Sequence, residues 1–255
     1  MKKTLIEIVQ DCLNDTDGDE VNSIDDTVES TQVANIVRST YEALIINRDW
    51  PHTKKLLQVT PSADNAKPTH MTLADNIKKM VYLNYNKQKT GETRRRYEPI
   101  KYLDPDDFLR VLNNRDNDQS FIDSIVDDSG VILSIRNDIA PSYYTSFDDE
   151  GIVFDSYDSA VDNSLQASKV QAMAYVIPTF TLSDTFIPDL PDFAFPAFIN
   201  ECKSAVSLKL RQIQDVKAET EARRQQRWLA RNDNKVNGGT KYPDYGRRGK
   251  RGFNK

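Results

Sequence analysis

The feature of the sequence that most constrains its fold is an apolar stripe near the C-terminus. Its members recur at steps of three and four residues, the spacing that places side chains on one side of an α-helix: Phe195, Phe198, Ile199, Cys202, Val206, Leu210, Ile213 and Val216. Residues 217–231 lack Gly and Pro, so we predict one long helix that continues to about Asn232. Such a helix would span roughly 55 Å at 1.5 Å per residue. Because a compact domain does not need this length, the far end should project.

The C-terminal region is strongly basic in an otherwise acidic chain. Residues 203–255 hold 15 Lys and Arg against 5 Asp and Glu, a net charge of +10, whereas the whole chain carries −5. Residues 233–255 show neither helical nor strand periodicity, and their Gly, Pro and charge content buries too little surface for independent folding. We therefore predict a flexible arm that becomes ordered on a partner.

The composition favours a soluble protein of a reducing compartment. The longest apolar runs are far shorter than the ~20 residues that cross a bilayer, so we expect no membrane association. The N-terminus begins like a signal peptide, but Glu7 and Asp11 interrupt its apolar part, and we expect no export by that route. Cys12 and Cys202 match neither a disulfide framework nor a metal-ligand spacing, which suits the cytoplasm.

Two helices are predicted near the N-terminus. Apolar periodicity indicates a short amphipathic helix over residues 4–14 and a longer one from Ser30 to Arg48. Ser30 or Thr31 is expected to cap the second helix, which should end before Pro51 because proline disfavours helix at the preceding residue.

The link between these helices is acidic and raises the question of a calcium site. Asp15, Asp17 and Asp19 match the start of an EF-hand loop. However, Glu20 occupies the position that needs Gly, and Asp26 stands where Glu is wanted. A solvated acidic loop is the simpler interpretation, with calcium binding as the alternative.

After Pro51 the periodicity changes from helical to alternating. Strands are predicted at 55–60, 69–73, 77–86, 96–103, 131–135, 152–155 and 169–177. A short helix is expected from Asp104 to Leu112, with Asp104 as its cap and Pro105 in the first helical position.

These elements predict an α+β fold. The N-terminal helices (1–51) and the long C-terminal helix (189–232) would form a helical bundle. A β-rich module (52–188) would be inserted between them, and a flexible basic arm (233–255) would follow.

Enzymatic chemistry has little support in the sequence. His52 and His70 are the two histidines, and the chain has no His/Cys cluster and no glycine-rich phosphate loop. Acidic pairs such as Asp106-Asp107 and Asp148-Asp149 are expected by chance in a chain with 39 Asp and Glu. We therefore predict no catalytic, cofactor or metal site. The alternative is a glycosidase such as a cell-wall hydrolase, for which two well-placed carboxylates would suffice.

The basic C-terminus permits two functional interpretations. Its arginines could neutralise nucleic-acid phosphates while its aromatic residues stack on bases. Tyr, Trp and Arg are also the residues that anchor protein interfaces. Because the chain as a whole is acidic and no nucleic-acid-binding motif is present, we favour docking to a protein and keep nucleic-acid binding as the alternative.

Three segments resemble the head-to-tail connector adaptors of short-tailed bacteriophages, the tail tubular protein A and head-completion family. The first runs from Tyr41 to Trp50 and is followed at once by a strand with Leu56 and Leu57. The second is Leu103-Asp-Pro-Asp-Asp-Phe108 in a β-rich context, and the third is the run from Ala222 to Arg231 with Tyr242-Pro-Asp-Tyr-Gly-Arg-Arg248 beyond it. The resemblance covers the order of elements over most of the chain.

The resemblance implies a structural virion protein without catalytic activity, made in the host cytoplasm and located at the head-tail junction. Copies would form a ring, commonly of twelve, that joins the portal to the tail nozzle and tail fibres and lets DNA pass without sequence recognition. The residues expected to dock on the portal are Trp228, Arg231, Tyr242, Tyr245, Arg247, Arg248, Arg251 and Phe253. Those expected to pack the helices and the ring are Tyr41, Trp50, Phe198, Ile199, Cys202, Val206, Leu210 and Ile213.

Overall fold

The chain divides into two units. The computed structural model describes residues 2–62, 64–89, 91–159 and 169–232. The helical unit takes residues 1–52 and 179–255 from the two chain ends, and the β-rich unit takes residues 53–178 from the middle. The described part contains five α-helices: α1 (Leu5–Asp15), α2 (Val28–Ile46), α3 (Pro105–Asn113), α4 (Phe195–Val206) and α5 (Val216–Asn232).

Helix α4 is the centre of the helical unit. It contacts α1, α2 and α5, and its core side chains Phe195, Phe198, Cys202 and Val206 are fully buried. The predicted helix over residues 4–14 is confirmed as α1, whose first turn is closed by a reciprocal capping box between Thr4 and Glu7. The predicted cap of α2 is wrong: Thr27 is the N-cap, and Ser30 is its capping-box partner one turn into the helix.

The predicted fold class, a helical bundle of N-terminal helices with one long C-terminal helix, is wrong. The structure is a mixed α+β fold in which α3 lies among the strands. The C-terminal run is interrupted: α4 ends at Val206, a π-helical turn occupies Ser207–Arg211, and α5 begins at Val216. The predicted flexible arm, residues 233–255, lies outside the described residues.

Residues 207–215, between α4 and α5, contain no Gly or Pro, so the break between the two helices needs another cause. Side-chain contacts supply it. The Arg211 guanidinium donates to the carbonyl of Thr16, just after α1, at 3.1 Å and pairs with Glu29, in the first turn of α2, at 3.0 Å. Gln212 then adopts a left-handed conformation with φ 56°. Asp215 accepts the Ala218 N–H at 2.9 Å and so caps a new helix.

The β-rich unit is built from eleven strands in the described residues. They are β1 (Lys54–Leu57), β2 (Thr60–Pro61), β3 (His70–Thr72), β4 (Ile77–Asn86), β5 (Tyr97–Pro99), β6 (Lys101–Tyr102), β7 (Ile122–Val126), β8 (Ile132–Arg136), β9 (Tyr143–Thr145), β10 (Gly151–Phe154) and β11 (Val170–Val176). One sheet has the order β1-β11-β4-β5, a second has β2-β3-β10-β9-β6, and β7 and β8 form a hairpin.

The strand predictions are confirmed for β4, β8, β10 and β11, and for α3 as a helix headed by Asp104 and Pro105. The Asp104 side chain, however, makes no capping hydrogen bond. Strands β7 and β9 were not predicted. The sequence predicts one strand over residues 55–60, but the structure has two: β1 pairs with β11 about 120 residues later in the sequence, and β2 pairs with β3.

A buried ion pair organises the β-rich unit. The guanidinium of Arg115, just after α3, lies 3.1 Å from the Asp155 carboxylate at the end of β10, and their side chains are 12% and 4% exposed. Arg115 also donates to the carbonyls of Ser134 and Asp155. The other Asp155 oxygen accepts the N–H groups of Ser142 and Tyr143, each at 2.9 Å. One pair therefore connects α3, β8, β9 and β10.

We predict that Arg115→Met destabilises the β-rich unit by about 3–5 kcal/mol, because it leaves the Asp155 carboxylate buried without its cation. The control is Arg110→Met, which removes an exposed pair with Asp107 and should cost less than about 1 kcal/mol. Urea unfolding followed by circular dichroism measures both. Equal losses in the two variants would contradict the role assigned to Arg115.

We predict that Gln212→Gly stabilises the helical unit by about 0.5–1 kcal/mol, because Gly adopts a left-handed φ without the steric cost of a Cβ. Arg227→Gly, at an exposed position in the interior of α5, should instead destabilise by about 1 kcal/mol. Both tryptophans lie in the helical unit, so thermal unfolding followed by tryptophan fluorescence reports the change. A loss of stability in Gln212→Gly would show that its side chain is needed.

Candidate docking surface

The helical unit contains a groove of about 750 Å³. Residues from α2, α4 and α5 and from the segments that follow α2 and α4 line it: Ser39, Thr40, Ala43, Leu44, Asn47, Arg48, Trp50, Glu201, Lys209, Gln226, Leu229 and Ala230. Buried Trp50 and Leu229 give it an apolar base, while Arg48, Glu201 and Lys209 add charge. The combination of apolar base and charged lining is typical of a protein-docking groove.

Arg48 connects the end of α2 to the end of α5. Its guanidinium stacks over the Trp50 ring, 4.9 Å from the ring centroid, and donates to the Leu229 carbonyl at 2.7 Å. Leu229 lies in the last turn of α5, where helix carbonyls have no partner within the helix and carry partial negative charge. A cation at this point both satisfies the carbonyl and complements the helix dipole. The indole N–H of Trp50 donates to the Leu44 carbonyl at 2.9 Å and fixes the ring beneath Arg48.

Helix α5 buries only a narrow stripe. Ala218, Ala222 and Leu229 are buried, whereas Arg223, Arg224 and Arg227 are exposed. Gln225 and Gln226 hydrogen-bond Asn200 and Glu201 of α4 at 3.3 Å, which holds α5 against α4. The rest of the helix surface is therefore basic and uncovered within the described structure.

Trp228 is the aromatic residue of this basic surface. It is 51% exposed, and its ring lies 6.3 Å from that of Phe193 in an edge-to-face arrangement. Of the other residues predicted to dock, Arg231 belongs to the last turn of α5. The remaining six lie outside the described residues: Tyr242, Tyr245, Arg247, Arg248, Arg251 and Phe253.

The residues predicted to pack the helices and the ring fall into three groups. Five are buried within the helical unit: Tyr41, Trp50, Phe198, Cys202 and Val206. Ile199 and Leu210 are half-buried, and Ile213 is 65% exposed because it lies in the break between α4 and α5. The five buried side chains pack in the core of a single copy and are not accessible to another molecule. Of the eight residues predicted to pack the helices and the ring, Ile213 is the most exposed.

The two cysteines are buried free thiols. Burial raises the pKa of the Cys12 thiol to about 12 and that of Cys202 well above its ordinary value, so both are neutral thiols at pH 7.

Among the described residues, no three His, Cys, Asp or Glu side chains are grouped so that they could hold a metal ion. None of the described helices combines the length and hydrophobicity needed to cross a membrane.

The histidines and several acidic residues make structural contacts. Burial would raise the pKa of Asp127, but hydrogen bonds from Ser129 and His70 outweigh it and lower the pKa to about 2. The other histidine, His52, contacts the Asp189 carbonyl at 2.8 Å. Asp107 pairs with Arg110, and Asp148 accepts two backbone N–H groups of its own loop.

The sequence was compared with protein-family models and with curated proteins, and neither comparison gave a match.

Two residues of this surface were not predicted from the sequence. From the sequence Arg48 is predicted only as the end of a helix, and Phe193 has no predicted role. The signal for Arg48 was its position two residues before a Trp, where a guanidinium can stack on the ring. No local signal indicates that Phe193 meets Trp228, because the two residues are 35 positions apart in the sequence.

We predict that Arg48→Met loosens the last turn of α5, because the Leu229 carbonyl loses its charged donor. The expected cost is ~1–2 kcal/mol, with faster amide exchange at residues 226–230. Arg38→Met is the control, since it removes only an exposed pair with Glu42. Hydrogen exchange read by mass spectrometry distinguishes the two variants, and unchanged protection in α5 would contradict the role of Arg48.

Proposed function

We propose that this chain is a head-to-tail connector subunit of a short-tailed bacteriophage. In this role copies form a ring, the twelve-membered ring implied by the resemblance, between the portal and the tail nozzle and fibres. DNA passes through the ring without sequence recognition. The role is structural and needs no catalytic residue, and its location is the virion.

The observation that carries the proposal is the uncovered basic surface of α5. Arg223, Arg224, Arg227 and half-exposed Trp228 lie on it, and the basic segment 233–255 follows directly. Aromatic and Arg side chains are the groups that contribute most to binding at protein interfaces. A docking element of this composition at one chain end supports a protein that connects two neighbours.

The groove of the helical unit supports the same proposal, because it contains the contact between the end of α2 and the last turn of α5. Arg48 holds the last turn of α5 against the end of α2, so the point from which residues 233–255 depart is anchored. A fixed origin raises the effective concentration of a tethered segment near its partner. Docking through the C-terminal segment therefore requires little rearrangement of the described helices.

Nucleic-acid binding is the second candidate function, because the same arginines and Trp228 could contact phosphates and bases. It differs from the connector role in one measurable respect. Affinity for duplex DNA should fall steeply as salt rises, whereas docking to a protein through aromatic anchors should persist at moderate salt.

We predict that full-length protein joins the purified portal of the same phage in a complex of fixed stoichiometry, and that a chain ending at Asn232 does not. The reason is that the truncation removes the proposed anchors Tyr242, Tyr245 and Phe253 with their neighbouring arginines. Light scattering after size exclusion gives the mass of each mixture.

Two full-length variants separate aromatic from charge contributions. One replaces Tyr242, Tyr245 and Phe253 with Ala, and the other replaces Arg247, Arg248 and Arg251 with Gln. The proposal expects the first to bind portal more weakly at every salt concentration and the second mainly at low salt. If full-length protein ignores the portal but shifts with added duplex DNA, nucleic-acid binding replaces the connector role.

A further inference from the structure

Charge is unevenly distributed along the sequence of the β-rich unit. Residues 54–101 contain 11 Lys and Arg against 4 Asp and Glu, whereas residues 104–178 contain 4 against 15. The first range supplies β1, β4, β5 and the loop between β4 and β5. The second supplies α3 and the loop between β9 and β10. Some of these opposite charges meet, as in the pairs Lys67–Asp128 and Lys89–Asp158, and Lys78 and Lys79 line a pocket with Asp149 and Glu150. The remaining charges lie on different elements.

The basic surface contains a cleft of about 530 Å³ on the four-stranded sheet. Arg95 and Lys169 line it together with Leu56 and Tyr97, and the exposed Arg94 adjoins Arg95 in the same loop. Leu56 is 60% and Tyr97 is 37% exposed. We call this surface the basic cleft.

The cations of the basic cleft differ from their neighbours in how they are paired. Lys87 and Arg96 both pair with Glu98, which lowers the pKa of that carboxyl. Arg94, Arg95 and Lys169, by contrast, form no ion pair with any described residue. Their charge is therefore available to an anionic partner.

The acidic surface is a loop held in shape by its own hydrogen bonds. Asp148, Asp149 and Glu150 follow Phe147 between β9 and β10, and the Asp148 carboxylate accepts the N–H groups of Glu150 and Gly151 at 2.9 Å. The Phe147 ring lies 6.1 Å from that of Phe108, which places the loop beside the first turn of α3. The exposed Asp106 of that turn extends the negative charge, whereas Asp107 pairs with Arg110.

The two surfaces match in chemistry. Each combines charge of one sign with exposed apolar or aromatic side chains: Leu56 and Tyr97 in the basic cleft, and Phe147 (40% exposed) on the acidic loop. Apolar contact supplies affinity, while complementary charge sets orientation and rejects the pairing of like surfaces. A two-fold pairing of basic cleft with basic cleft is thereby disfavoured.

We propose that copies of this chain dock head to tail through their β-rich units, with the basic cleft of one copy receiving the acidic loop of the next. A contact between two different surfaces repeats from copy to copy and closes into a ring when the rotation permits. The closed form rests on the proposed connector function. The pairwise contact does not, and it can be measured without any portal.

The experiment uses reversed charges in the full chain. The cleft variant is Arg94→Glu with Arg95→Glu, and the loop variant is Asp106→Lys with Glu150→Lys. Asp148 is left intact because it holds the loop, and Asp149 because its φ of 63° suits Asp better than Lys. The matched control is Lys2→Glu with Lys217→Glu, an equal charge change on two exposed residues of the helical unit.

Sedimentation of each protein alone, without portal, gives the self-association constant. Wild type should associate, and more weakly as salt rises. The cleft and loop variants should each associate at least about tenfold more weakly, and the control should match wild type. An equimolar mixture of cleft and loop variants should recover association, because every contact in an alternating chain is again complementary.

Three results would overturn the inference. The first is a wild-type chain that stays monomeric at all concentrations and salts. The second is a mixture that stays dissociated although both variants give native circular dichroism spectra. The third is a cleft variant that loses binding of duplex DNA while its self-association is unchanged, since the basic cleft would then serve a nucleic acid. None of these results bears on portal binding by residues 233–255, so the two proposals fail separately.

Discussion

The β-rich unit depends on one buried ion pair, between Arg115 and Asp155. Burying two charges costs several kcal/mol per ion, and hydrogen bonds offset this cost: the guanidinium donates three, and one carboxylate oxygen accepts two backbone N–H groups. Arg115 reaches the carbonyl of Ser134, and Asp155 receives the N–H groups of Ser142 and Tyr143. The pair therefore determines how the end of α3 and three strands meet. The strands on both sides of the β9–β10 loop are held by this pair, because Tyr143 belongs to β9 and Asp155 directly follows β10.

Guanidinium groups play a similar part in the helical unit, where they connect segments far apart in the sequence. Arg48 meets the last turn of α5, and Arg211 meets the acidic link between α1 and α2. In both cases a planar cation with several donors satisfies a backbone carbonyl and makes a second contact, with Trp50 or with Glu29. These contacts fix the path of the chain at the two ends of α5, and so decide where its basic surface and the segment beyond it begin.

Local patterns in the sequence were sufficient for elements whose signals agree with their neighbours. Helix α1 has a capping residue and an apolar stripe, and β4 has a long alternating run. Strand pairing, by contrast, could not be predicted from local patterns. Nothing near β1 indicates that β11 is its partner, and the three-residue strand β9 is defined by its hydrogen bonds to β10 and β6 rather than by its own composition. For the candidate docking surface, the sequence indicated Trp228 and the basic character of α5, but not the groove or the role of Arg48.

The sequence by itself determined the α+β character of the chain, its bipolar charge and the helical character of residues 195–206 and 216–232, because composition and periodicity act locally. Only the tertiary structure decided that these two helices are separate. Residues 207–215 have no helix-breaking composition, and the break arises because Arg211 is drawn to Thr16 and Glu29, nearly 200 residues earlier. The same holds for the basic cleft and the acidic loop. Their charges can be counted along the chain, but their separation onto different surfaces follows from the order in which the strands pair.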